Sequence, residues 1–115
     1  MATWWNNGGS AYRQLIHSRK WRELRKRKLS ESVWCEDCLL EDRHELATEV
    51  HHEIPVLQGS TLSHMASLAY DIHNLRALCH SCHVRRHKIR PTPKEQAQEV
   101  AKRAKNDFVA RYFGE

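Results

Sequence analysis

A chain of 115 residues with a formal net charge of +5 has the length of one domain. Its large apolar residues are few: Leu, Ile, Val and Phe together number 23, about 20% of the sequence. So thin a core excludes a large enclosed cofactor pocket, a doubly wound nucleotide fold and a two-domain enzyme, and it calls for a disulfide or metal staple.

Residues 1–17, with Asn6-Asn7-Gly8-Gly9-Ser10 in their middle, are expected to form a flexible arm. They hold no basic residue before Arg13 and no apolar signal-peptide run, so a leader is not expected. The longest stretch without a charged residue, 54–70, contains Gln58, Ser60, Thr61, Ser63, His64 and Ser67 and is no membrane span. The cytoplasm is the expected compartment, where a metal is a better staple than a disulfide.

Residues 18–90 read as the main domain. A helix is expected from Ser18, a suitable N-cap, to about Ser30, with Trp21 and Leu24 on one face. It carries Arg19, Lys20, Arg22, Arg25, Lys26, Arg27 and Lys28. Residues 47–54 carry a strand signal through Thr48, Val50 and Ile54. The segment 55–70 opens on Pro55 and reads as loop, with a short helix near Leu62 to Tyr70. Asn74-Leu75 turns into Cys79, and a helix follows from about Ser81 to Lys88.

Residues 91–115 are expected to form a C-terminal helix that packs on or extends the domain. Thr92 is its N-cap, Pro93 its first residue and Glu95 completes a capping box. Ala97, Ala101, Ala104, Phe108 and Tyr112 form its apolar stripe, and Gly114 can end it. Charge follows three blocks: net +6 over residues 1–34, −7 over 35–75 and +6 over 76–115. Two basic flanks around an acidic middle suit a polyanion gripped from two sides; solvated helix faces would show the same pattern.

Cys35-x-x-Cys38 and Cys79-x-x-Cys82 are two knuckles separated by 40 residues. Each presents two thiolates from one tight turn, and together they complete a tetrahedron around structural Zn(II). Two disulfides or a single redox pair are the alternatives, and His80 or His83 could replace one thiolate. The usual separation of such knuckles is roughly 15–20 residues, so something of independent size stands between these.

Histidine is concentrated between and after the knuckles: seven of the nine lie from His51 to His87. His51 and His52 adjoin on the expected strand and should point to opposite faces. One can bind a metal while the other acts as a base near neutral pH. His83 and His87 lie four apart, on one helical face. His17, His44 and His64 read as ordinary polar residues, and His73 and His80 have no assigned role.

Cys35-x-x-Cys38, then Val50-His51-His52-Glu53-Ile54-Pro55, then Asn74 through His83 with Cys79-His80-Ser81-Cys82, resembles the HNH endonuclease family over about residues 20–88. The resemblance implies an α+β fold: a small ββα-metal (His-Me finger) core, here stapled by zinc and flanked by N- and C-terminal helices. It implies a metal-dependent endonuclease that hydrolyses DNA phosphodiesters to 5′-phosphate products; weak sequence specificity is expected because no base-reading motif accompanies the basic residues. By position, His51 and His83 are ligands of a catalytic divalent ion (Mg, Mn, Ni, Co or Zn) and His87 a further ligand in some members. His52 is the general base, and Asn74 is the amide of the catalytic motif that braces the loop. Glu53 stands where an aliphatic residue is more usual, and Gln58-Gly59-Ser60 where paired glycines are common.

The tract Tyr12–Leu29 is similar to the basic leader of small phage and prophage HNH proteins, which implies a phage terminase or other packaging protein as partner. DNA phosphates are expected on the basic residues from Arg19 to Lys28 named above and on Arg85, Arg86, Lys88 and Arg90. The competing readings are a non-catalytic, zinc-stapled nucleic-acid-binding or adaptor module and an RNA-directed nuclease.

Overall fold

The computed structural model describes residues 3–89 and 91–112, the side chains of 3–9 excepted. Ser18 ends one helix and begins the next, α1 (Thr3–Ile16) and α2 (Arg19–Glu31). Its Oγ accepts from the Trp21 N–H at 3.1 Å and donates to the Leu15 carbonyl at 2.7 Å. The segment expected as a flexible arm is therefore helical over its described part. Ala11, Tyr12 and Leu15 on α1 pack against the buried cluster of Val56, Met65 and Ala69. That apolar contact outweighs the helix-breaking cost of Gly8 and Gly9, which local sequence alone registers. Residues 1 and 2 lie outside the described part.

Past α2, Trp34 pairs with Leu46 in an isolated antiparallel bridge that closes the first knuckle. The short helix α3 (Glu36–Leu39) lies inside that knuckle. Two four-residue strands follow, β1 (Glu49–His52) and β2 (Leu75–Leu78), antiparallel with Glu49 opposite Leu78 and His52 opposite Leu75. Between them run a 3-10 turn at Val56–Gln58 and α4 (Leu62–Tyr70), capped by Thr61. α5 (His80–Lys88) leaves β2 through Cys79 and completes a ββα unit.

Gly59 lies where this connection passes closest to α4. An added Cβ would sit 2.6 Å from Met65 Cγ and 2.8 Å from its backbone nitrogen. The residue that stands in place of paired glycines is thus fixed by close approach of the backbone.

α6 (Pro93–Tyr112) begins with the expected capping box: Glu95 N–H donates to Thr92 Oγ1 at 3.2 Å and Thr92 N–H to Glu95 Oε1 at 3.0 Å. Its inward face is not the expected apolar stripe. Ala97, Ala101, Phe108 and Tyr112 are exposed, while Gln96 is buried and Glu99, Arg103 and Asp107 turn toward the domain. The surface that α6 covers carries Arg76, Glu36 and His73, so ion pairing decides which face turns in. Gly114 lies outside the described residues.

The interior beneath α6 is charged. Arg76 donates to Glu53 (2.7 Å), Asp37 (3.1 Å) and Glu99 (3.1 Å). Arg86 bonds Asp37 and Glu53, and Lys28 and Arg103 converge on Glu36. Four cations thus meet four carboxylates, with Glu53 only 3% exposed. Such a network survives burial because nearly every member is paired. It explains both the scarcity of large apolar residues and the charged residue at position 53.

Candidate active site and zinc site

Alternation along β1 puts Glu49 and His51 on one face and Val50 and His52 on the other. Toward the first face comes α5, whose helical spacing aligns His83 and His87. The ring centroids of His51 and His83 are 5.3 Å apart, those of His51 and His87 5.6 Å, and those of His83 and His87 4.8 Å. One nitrogen from each of the three lies within 4.8 Å of the others. His83 Nε2 and His87 Nε2 stand 3.1 Å apart. Two nitrogens on one ion at about 2.1 Å would be separated by roughly 3.0–3.4 Å, so the trio fits a divalent cation.

Burial, and then the nearby His83 and Arg86, push His51 down to about 3. It is a neutral imidazole, the form that binds a metal. Glu49, which sequence reasoning did not single out, orients this group. It accepts from His83 Nδ1 at 2.5 Å and from His80 Nδ1 at 2.8 Å, which leaves His83 Nε2 to face the cluster. These two hydrogen bonds hold its carboxyl below the usual range. Its signal was present in the strand period, since position 49 shares a face with position 51.

His52 lies on the opposite face, stacked on Trp21 at 4.9 Å with its Nε2 3.3 Å from the Ala69 carbonyl. Donation from Nε2 to that carbonyl leaves Nδ1 with its lone pair. Burial lowers its pKa, partly offset by the Ala69 bond, so the ring is neutral at pH 7. Because β1 ends at His52, both histidines line one open cleft of about 490 Å³, with His83 and His87. Asn74 does not reach that cleft. It is 1% exposed; its Oδ1 accepts from the Ile54 N–H (2.8 Å), and its Nδ2 donates to the Ile54 (3.0 Å) and Leu68 (2.8 Å) carbonyls. These bonds tie the segment after β1 to α4.

Some 41 residues apart in sequence, the two knuckles meet: Cys38 Sγ is 3.9 Å from Cys79 Sγ and 3.6 Å from Cys82 Sγ. A tetrahedron of thiolates at about 2.3 Å from zinc has edges of roughly 3.8 Å, whereas a disulfide needs about 2.05 Å. All four cysteines are unbridged and their sulfurs lie within 4.8 Å of one another, so the set fits one zinc ion. Burial pushes Cys38 up to about 11 and Cys82 higher still. Burial opposes ionisation of Cys79 too, yet hydrogen bonds from the Cys82 backbone and the Ser81 hydroxyl draw it down to about 7.

The basic residues divide. Arg19, Lys20, Arg22, Arg25, Lys26 and Arg27 are exposed on α2, as are Arg85 and Lys88 on α5. Lys28, 7% exposed and paired with Glu36 at 3.1 Å, and Arg86, held by Asp37 and Glu53 while it also lines the cleft, belong to the internal network. The acidic middle of the sequence thus neutralises part of both basic flanks from within. Arg90 lies outside the described residues. No helix among the described residues is long and apolar enough to cross a membrane.

No curated protein and no solved structure matches the chain significantly. Residues 35–88 match the family model described as HNH endonuclease, a span that contains both knuckles, the two strands and α5. The match to the HNH endonuclease model thus falls on residues 35–88, just under half of the chain, and on the segment that carries the zinc-fitting cysteine cluster and the ββα core.

Proposed function

We propose that the protein is a metal-dependent DNA endonuclease that nicks or cleaves duplex DNA with weak sequence specificity. The observation that carries this reading is the convergence of His51, His83 and His87 on the cleft that also receives His52. His51, His83 and His87 would hold one divalent cation, which when bound supplies charge for the phosphate oxygens and the leaving 3′-oxygen. His52, its ring plane set by Trp21 and its Nε2 by Ala69, takes the proton of the attacking water at Nδ1. Arg19, Lys20, Arg22, Arg25, Lys26, Arg27, Arg85 and Lys88 hold backbone phosphates. The pairs of Arg19 with Glu23 and Arg27 with Glu31 are exposed and exchange readily for phosphate. Imidazole ligands favour Mn, Ni, Co or Zn over Mg. The similarity of Tyr12–Leu29 to phage leader tracts supports a role in DNA packaging or processing beside a terminase, in the cytoplasm of a bacterial or infected cell.

The test is nicking of supercoiled plasmid by zinc-retaining protein across Mg, Mn, Co, Ni and Zn. Nicked circles are expected with at least one ion. Glu49→Gln is expected to raise the ion concentration for half-maximal rate about 10- to 100-fold, because His83 loses its orienting carboxylate. Retardation of DNA on gels without nicking at any ion would instead establish the adaptor reading.

A further inference from the structure

The family span ends at residue 88, but the cleft beside the histidines is finished by elements outside it. Tyr12 of α1 and Gln96 of α6 line it, with Pro55, Leu57 and Gln58 from the segment after β1. A pure phosphate site has no need of these side chains, since backbone phosphates are held by cations. Gln96 is 4% exposed, and its Oε1 accepts from Gln58 Nε2 at 3.3 Å. Among the described residues, no protein group partners the remaining Gln96 Nε2 or the Gln58 Oε1, and both atoms reach solvent at the cleft edge. An amide pair with one donor and one acceptor open to solvent at the edge of a cleft can be met by the edge of a ligand. An aromatic ring, apolar walls, and one free donor and one free acceptor are what a nucleobase requires: a face to stack on and groups for its edge. A volume of about 490 Å³ suits a nucleotide.

We infer that this cleft takes one unstacked nucleobase of the strand being cut, beside the scissile phosphate, with its ring on Tyr12 and its edge on the Gln58–Gln96 pair. The inference rests on the nuclease reading and adds a substrate class to it: DNA in which a base is already unpaired or easily extruded. A base inside an intact stack cannot enter a lateral cleft, and extrusion is least costly at a mismatch or bulge.

The experiment compares cleavage of a fully paired oligonucleotide duplex with the same duplex carrying one unpaired nucleotide, using the full chain and an ion that supports plasmid nicking. The unpaired site is expected to be cut about tenfold faster, the scale of one base–aromatic stack. The ratio of the two rates within one protein cancels any general loss of activity. Tyr12→Leu and Gln96→Leu should bring it near unity, and Tyr12→Phe should keep it. Anisotropy with both duplexes in chelator reads binding separately. Equal cleavage and equal binding by the wild type, or a ratio preserved in Tyr12→Leu, overturns the subsite while the nuclease reading stands. Tighter binding to the unpaired duplex with no cleavage under any ion keeps the subsite and overturns the nuclease.

Discussion

His52→Ala is expected to lower the nicking rate by about a hundredfold to ten-thousandfold, the usual worth of a positioned general base, with zinc content unchanged. The ring makes one hydrogen bond at 3.3 Å and one stack on Trp21, so its removal leaves a small gap that costs on the order of 1–3 kcal/mol of stability. Far-ultraviolet circular dichroism and a zinc assay will separate that from the chemical loss. Imidazole added to the solvent should restore part of the rate, because the gap beside Trp21 leaves room for a free base. A structural role for His52 predicts no such rescue. Undiminished nicking by this variant would remove the catalytic assignment altogether. DNA retardation should stay close to the wild-type value, since His52 is not among the exposed cations.

The contrast with Asn74 shows how much a linear pattern conveys. Both positions were readable from the resemblance, but residue order does not say whether a side chain faces substrate or backbone. His52 faces the cleft. Asn74 is saturated by three backbone partners and acts on the site only through the segment it ties down. The cap at Ser18 and the Thr92–Glu95 box were legible because each depends on residues within a few positions of one another. The ββα order came only through the family resemblance, since local sequence reads Asn74-Leu75 as a turn where β2 begins.

What was illegible depends on distant partners. Lys28 and Arg86 look like any other members of two basic runs until Glu36, Asp37 and Glu53 arrive from other elements. Distant partners also reversed the face of α6, where Arg76, Glu36 and His73 take Glu99, Arg103 and Asp107 although apolar periodicity pointed outward. α1 forms because Val56, Met65 and Ala69 await it, and no property of residues 1–17 alone announces that cluster. Glu49 lies between these cases: the strand period placed it beside His51, but only α5 shows that it orients His83.

Replacing Cys82 with serine, or withdrawing zinc with a strong chelator, is expected to abolish folding and activity together. Cys35, Cys38 and Cys82 make up most of a buried cluster whose other buried member is Leu78. Without the ion, that cluster is a set of crowded thiols with little apolar surface to replace it. Structural zinc contributes apparent binding free energies of about 10–16 kcal/mol, against a net stability of about 5–15 kcal/mol for a whole domain. Loss of the ion therefore decides whether the chain folds. Cys82 also precedes His83 on α5, and Asp37 of the first knuckle holds Arg76 and Arg86, so release of the knuckles frees the strand and helix that carry the histidines. The assay must keep the catalytic ion in excess throughout, so that lost nicking reports on the cysteine site alone. Ellipticity and nicking rate should then fall along one curve as zinc is removed and return along it when zinc is restored. A protein that kept its ellipticity while losing activity would show that the ion at the cysteines serves catalysis directly and not the fold.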